Sequence, residues 1–144
     1  MRNFLKKIIG IALVLGGIQL VGMWYFGKVH AELAEEYALS EDGLEYAISC
    51  ENRLNWHDQE FTSGRDTLDG CGCIARNVQA EYPDDMVAGQ TVVRDMINWL
   101  SEDEPTEPDW AALASEAGID EALYEGLLFA GLSGLQACNV SESA

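Results

Sequence analysis

Ile8 to Phe26, IIGIALVLGGIQLVGMWYF, runs nineteen residues without a charge. As a helix rising about 1.5 Å per residue it covers roughly 28 Å, close to the hydrocarbon thickness of a bilayer. Arg2, Lys6 and Lys7 precede the run, and Trp24 and Tyr25 stand near its far end. Basic residues hold their end of such a helix in the cytoplasm, and amphipathic rings favour the headgroup layer. The sequence therefore predicts a cytoplasmic basic segment over 1–7 and a single-pass signal-anchor over 8–28. It also predicts a domain on the far side of an inner or cell membrane, periplasmic or extracellular. A signal cleaved after Ala31 is the competing reading. Val29–His30–Ala31 offers a small-x-small site, but cleaved signals have shorter apolar cores, about 7–15 residues, and bulky rings and Lys28 crowd this one. Both readings place the remainder outside the cytoplasm.

Ala12, Gly16 and Gln19 share one face of the predicted anchor. Small residues beside an interior amide suit contact with another membrane helix, because the amide needs a hydrogen-bond partner in lipid. These three are the candidate membrane-packing residues.

Past residue 30 the composition changes. All 25 carboxylates lie there, opposed by Arg53, Arg65, Arg76 and Arg94, for a net charge of −21. Nucleic-acid binding needs a basic footprint, so that class is excluded. Anionic headgroups would repel such a surface, whereas a basic protein would be steered to it. Solubility alone is the plainer use of the charge.

Four cysteines occur in this portion: Cys50, Cys71, Cys73 and Cys138. An oxidising compartment lets them form two disulfides. A Cys71–Cys73 bond would close a strained ring across one glycine, leaving two connectivities. Cys71, Ile74, Ala75, Val78 and Tyr82 make one helical stripe, with Asp69 as the expected N-cap. Cys73 points about 200° away around the same helix. Tyr124, Leu127, Leu128, Gly131, Leu135 and Cys138 make a stripe on the last helix. Two core-facing thiols are the natural partners, so the expected bonds are Cys71–Cys138 and Cys50–Cys73.

The remaining periodicities are helical as well. Leu33, Ala34, Tyr37 and Ala38 continue from the anchor. Ser40 caps a helix carrying Leu44, Ala47 and Ile48, and a polar loop follows from Asn55. Met86, Gly89, Val93, Met96, Ile97 and Leu100 align on a further helix. SEDEPTEPD is an acidic linker broken by proline. A short helix runs from an Asp109 cap to a Gly118 stop, and Ile119 and Asp120 open the last one. Gly126, Ala130, Gly134 and Ala137 form a small-residue row suited to close packing inside the domain or to a partner. Trp56, Trp99 and Trp110 lie near loops or helix ends. The expected fold is all-α: the anchor, then a small disulfide-stapled bundle over 29–138, then a tail over 139–144.

No activated serine, phosphate-cradling loop or haem-attachment motif occurs. SEDG and DTLDG lack the alternating carboxylates of a calcium loop. The pattern points to a non-enzymatic, cofactor-free accessory subunit of a larger membrane complex, or one docking a basic soluble partner such as a cytochrome c. The alternative is an anchored thiol-redox or copper protein using Cys71 and Cys73, with Met86 or Met96 as a further ligand.

Overall fold

Local capping chemistry decides where the helices begin. Ser40 Oγ accepts from the Gly43 amide at 3.0 Å, and the Asp66 carboxylate accepts from Asp69 N. Asp109 and Asp120 do the same for Ala112 N and Leu123 N, each satisfying a donor that the first turn leaves open. The structure, a computed structural model, describes residues 22–139. Among these residues it is all helical: α1 (22–36), α2 (Glu41–Trp56), α3 (Thr67–Glu81), α4 (Met86–Leu100), α5 (Trp110–Ala117) and α6 (Glu121–Cys138). Asp69 therefore stands in the first turn of α3, and Asp66, three residues earlier, is its cap. Gly118 adopts the left-handed conformation, φ 67°, that ends α5 without a Cβ penalty.

The described residues fall into two compact units, one ending at Glu32 and the other starting at Leu33. In the first, Met23, Trp24, Tyr25 and Phe26 are all largely exposed, and Lys28 Nζ lies 5.6 Å from the Trp24 ring centre. No helix among the described residues is long and apolar enough to cross a membrane. The anchor expected over 8–28 falls mostly on residues outside those described. So do Ala12, Gly16 and Gln19, the 1–7 segment, and the tail after Asn139.

The second unit is built around α3. Its start is bonded to the middle of α2 through Cys50–Cys71, and Gln79 near its end meets Ser40 at the start of α2. The two helices are thus antiparallel. The same holds for α3 and α6, where Cys73 meets Cys138 and Tyr82 meets Gly126. By contrast, α2 and α4 run the same way, with Tyr46 against Gly89 and His57 Nε2 2.9 Å from Asn98 Oδ1. Tyr46, Ile74, Val78, Met86, Val92, Val93, Met96, Tyr124 and Leu127 are fully buried between these helices. Large apolar side chains each contribute about 1.5–3 kcal/mol on burial.

The disulfides correct one expectation. The pairs are Cys50–Cys71 and Cys73–Cys138, not Cys71–Cys138 and Cys50–Cys73. The periodicity gives α3 a single core-facing stripe, but residues 70–75 are buried all the way round the helix. Gly70, Cys71, Gly72 and Cys73 point in four directions about 100° apart, and all four are buried. A methyl group on Gly70 would meet the Phe61 ring; one on Gly72 would meet Tyr37 and Leu33. Cys71 faces α2 and Cys73 faces α6. The glycines of DGCGC are thus where two aromatic rings press onto the helix, and the cysteines bond the two flanking helices.

Three of the four residues in the small-residue row of α6 lie against the bundle. Gly126 lies against Tyr82, Ala130 is buried, and Gly134 rests on Ile74; Ala137 is exposed.

Candidate functional site

A network of polar side chains sits where the chain enters the second unit. Tyr37 Oη donates to Asp69 Oδ1 at 2.5 Å, and Arg65 Nε donates to Asp69 Oδ2 at 2.5 Å. Arg65 also reaches Tyr37 Oη and the Cys138 carbonyl, while Arg76 lies 5.2 Å from the Tyr37 ring centre. Burial, then the hydrogen bond to Asp69, pushes the Tyr37 hydroxyl up to about 12. Burial also raises the Asp69 carboxyl, but the bonds from Tyr37 and Arg65 outweigh it and hold the group below the ordinary carboxylate range. Every member of this network has a partner inside the fold, and together they clamp Tyr37 to the start of α3.

The cysteines are likewise held inside the fold. Cys50, Cys71 and Cys138 are fully buried, Cys73 is 6% exposed, and all four are bonded. A bonded sulfur offers no thiolate to a metal or to an exchange partner. Met86 and Met96 are core residues. Among the described residues no group of three or more His, Cys, Asp or Glu is placed to hold a metal.

The bundle does hold an apolar pocket of about 140 Å³. Leu54, Phe61, Ile74, Met96, Ile97 and Leu135 line it, with Cys50. The loop after α2 forms one wall. His57 ties that loop to Asn98, and Ser63 N donates to Asn139 Oδ1 at 3.4 Å, so both its ends are fastened. Such a volume is close to that of an engineered cavity of about 150 Å³ that holds one benzene ring.

Glu60, Gln59, Ser101 and Asn139 stand among the lining residues as its polar members, with Leu100 half-exposed beside them. Beyond Ser101 the chain continues directly into Glu102, Asp103, Glu104, Glu107 and Asp109, all exposed. Glu60 is thus the carboxylate in the pocket lining, and the acidic linker leaves the pocket edge at Ser101. Sequence periodicity identified Met96, Ile97 and Leu100 as one helix face, but not the pocket. Phe61 gave the one available hint, being the lone apolar residue between His57 and Asp66.

At the opposite edge of α4, Trp99 and Trp110 pack edge to face at 5.3 Å, and Trp110 lies 6.2 Å from Tyr124. Tyr124 Oη donates to Asp95 at 2.7 Å. Burial foremost, and then that carboxylate, raises the Tyr124 hydroxyl well above its ordinary value. This aromatic stack fastens α5 and the end of the acidic linker to the bundle. Trp56, in contrast, projects into solvent.

No protein-family model, curated protein or solved structure matches the chain.

Proposed function

We propose that the chain is a non-enzymatic, membrane-anchored interaction subunit that docks a basic partner outside the cytoplasm. The observation that carries this reading is the apolar pocket lined by Glu60 and ending at Ser101, where the acidic linker begins. One apolar side chain of the partner fills the pocket as an anchor, and its basic neighbours meet Glu60 and the linker carboxylates. Interfaces concentrate binding energy in such desolvated anchors, while charge at the rim governs encounter and register. A small basic carrier such as a cytochrome c has the required charge, as does a basic segment of a larger membrane complex.

The anchor is supported by the uncharged Ile8–Phe26 run and by the exposed Met23–Phe26 side chains, which would otherwise waste apolar surface on water. The oxidising compartment is supported by two buried disulfides.

The test uses the full chain purified from its native membrane in mild detergent. A stoichiometric basic partner should co-purify, and its retention should fall steeply with salt. Leu100→Glu and the triple change E102Q/D103Q/E104Q should each lose it while keeping both disulfides and the helical content. A partner-free monomer, or a partner retained equally by both variants, overturns the reading. So does a C-terminal reporter found in the cytosol.

A further inference from the structure

Four arginines belong to the second unit, and the fold employs only two of them. Arg65 is held by Asp69, Tyr37 and the Cys138 carbonyl, and Arg76 lies over Tyr37. Arg53 of α2 and Arg94 of α4 instead line one open recess, together with Ser49, Asn52 and Trp56. Ser49, Asn52, Arg53 and Trp56 stand at i, i+3, i+4 and i+7, so they form a single stripe along α2. Because α2 and α4 run in the same direction, Arg94 comes alongside Arg53.

Among the described residues neither guanidinium has a carboxylate within 4 Å, although the chain carries 25 acidic side chains. Asp95, the neighbour of Arg94, is taken by Tyr124 on the α6 side. The contact of Arg94 is a long 3.5 Å bond to Thr91 on its own helix. Trp56 is 79% exposed, and no ring covers it among the described residues.

We propose that this recess binds an organic oxyanion, a carboxylate or phosphate carried on a flat ring. Two guanidiniums present forked donors that match the paired oxygens of either group. The Ser49 hydroxyl and the Asn52 amide supply further donors, and the Trp56 indole offers a face on which a ring stacks. The domain's overall negative charge does not forbid this. Exposed charges beyond about 8 Å are largely screened at physiological salt, so the local arginine pair governs a ligand already in the recess. Trp and Arg are also the side chains most enriched where binding energy concentrates. The site is independent of the acidic rim and of its proposed partner.

Isothermal titration of the full chain in non-ionic detergent tests the proposal. Benzoate and phenyl phosphate are the probes; inorganic phosphate and benzyl alcohol supply the anion alone and the ring alone. At least one ring-bearing anion should bind saturably and about tenfold more tightly than either partial probe. Whichever of the two binds better identifies the oxyanion as carboxylate or phosphate. Arg53→Gln and Arg94→Gln should each weaken binding about tenfold or more. Trp56→Ala should erase the advantage of the ring-bearing anion over inorganic phosphate. These side chains lie on the surface, so the variants keep the fold, which the disulfides and circular dichroism report. The proposal fails if neither ring-bearing anion outbinds inorganic phosphate. It also fails if the R53Q/R94Q double variant binds them as the native chain does.

Discussion

The Tyr37 hydroxyl donates to Asp69 Oδ1 at 2.5 Å, joining the turn that enters the bundle to the first turn of its central helix. Arg65 closes the triangle by bonding both partners. The three groups are held across 32 residues of sequence by a contact that no local pattern encodes.

The first prediction concerns that triangle. Tyr37→Phe removes the hydroxyl and should lower stability by about 1–2 kcal/mol in denaturant unfolding. The pH dependence has two arms. Asp69 has a depressed pKa in the fold, so its contribution is present above the unfolded carboxylate pKa and is lost as pH falls through the folded value. Tyr37 has a raised one, so its contribution is present below the unfolded pKa of about 10 and is lost as pH rises towards about 12. Unfolding midpoints collected across pH should show both losses, and Y37F should shrink both. A variant indistinguishable from the native chain throughout would rule the clamp out.

The second concerns disulfide pairing. The C50A/C71A variant should retain no free thiol, because Cys73 and Cys138 remain bonded. C50A/C73A should instead leave two native partners stranded, giving free or mispaired thiols on maleimide labelling. Loop-entropy arithmetic adds a magnitude. Cys73–Cys138 spans 65 residues and Cys50–Cys71 spans 21, so breaking the longer loop should cost about 1 kcal/mol more.

Gly72→Ala supplies the third. Alanine is ordinarily favoured over glycine in a helix, by about 0.5–1 kcal/mol. Here the new methyl group meets the Tyr37 ring, which its hydroxyl bonds prevent from swinging away, and Leu33. Overpacking should dominate and destabilise the chain by about 1–3 kcal/mol. Thermal unfolding of G72A beside Y37F/G72A checks the cause, since freeing the ring should recover part of the loss.

A fourth prediction separates the helices by local stability. Of α5, Ala114 alone is fully buried, and the Trp110 contacts with Trp99 and Tyr124 do most of the fastening. Its amides should exchange with deuterium well before those of α3, where residues 70–75 are all buried. Trp110→Ala should speed α5 exchange further and leave α3 protection nearly unchanged. Uniform exchange across both helices would contradict this picture.

Helix boundaries were legible wherever a local rule governs them. Ser40, Asp109 and Gly118 mark termini in the sequence and do so in the fold, whereas α6 starts at Glu121, with Asp120 as its cap rather than in its first turn. Asp66 and Asp69 stand one turn apart and are equally good caps on paper; the chain uses the first. The disulfide pairing was not legible, because periodicity tells which side of a helix is apolar but not how many neighbours surround it. For α3, enclosed by α2, α6, Phe61 and Tyr37, a one-face reading necessarily misassigned Cys71. The pocket and the arginine recess were hidden for a related reason. Each assembles side chains from separate helices, such as Leu54 with Leu135 or Arg53 with Arg94, and only the parallel or antiparallel register brings them together.

The order of the sulfur bonds bears on biosynthesis. Each cysteine joins the next one along the chain, first with second and third with fourth. A ribosome delivering the polypeptide from its N-terminus thus presents Cys50 and Cys71 together while Cys138 is still unmade. An oxidant acting on the nascent segment can seal the first crosslink before a wrong long-range partner exists, leaving the two-residue neighbour Cys73 as the main competitor. Maturation of this bundle therefore makes less demand on a reshuffling isomerase than interleaved pairing would.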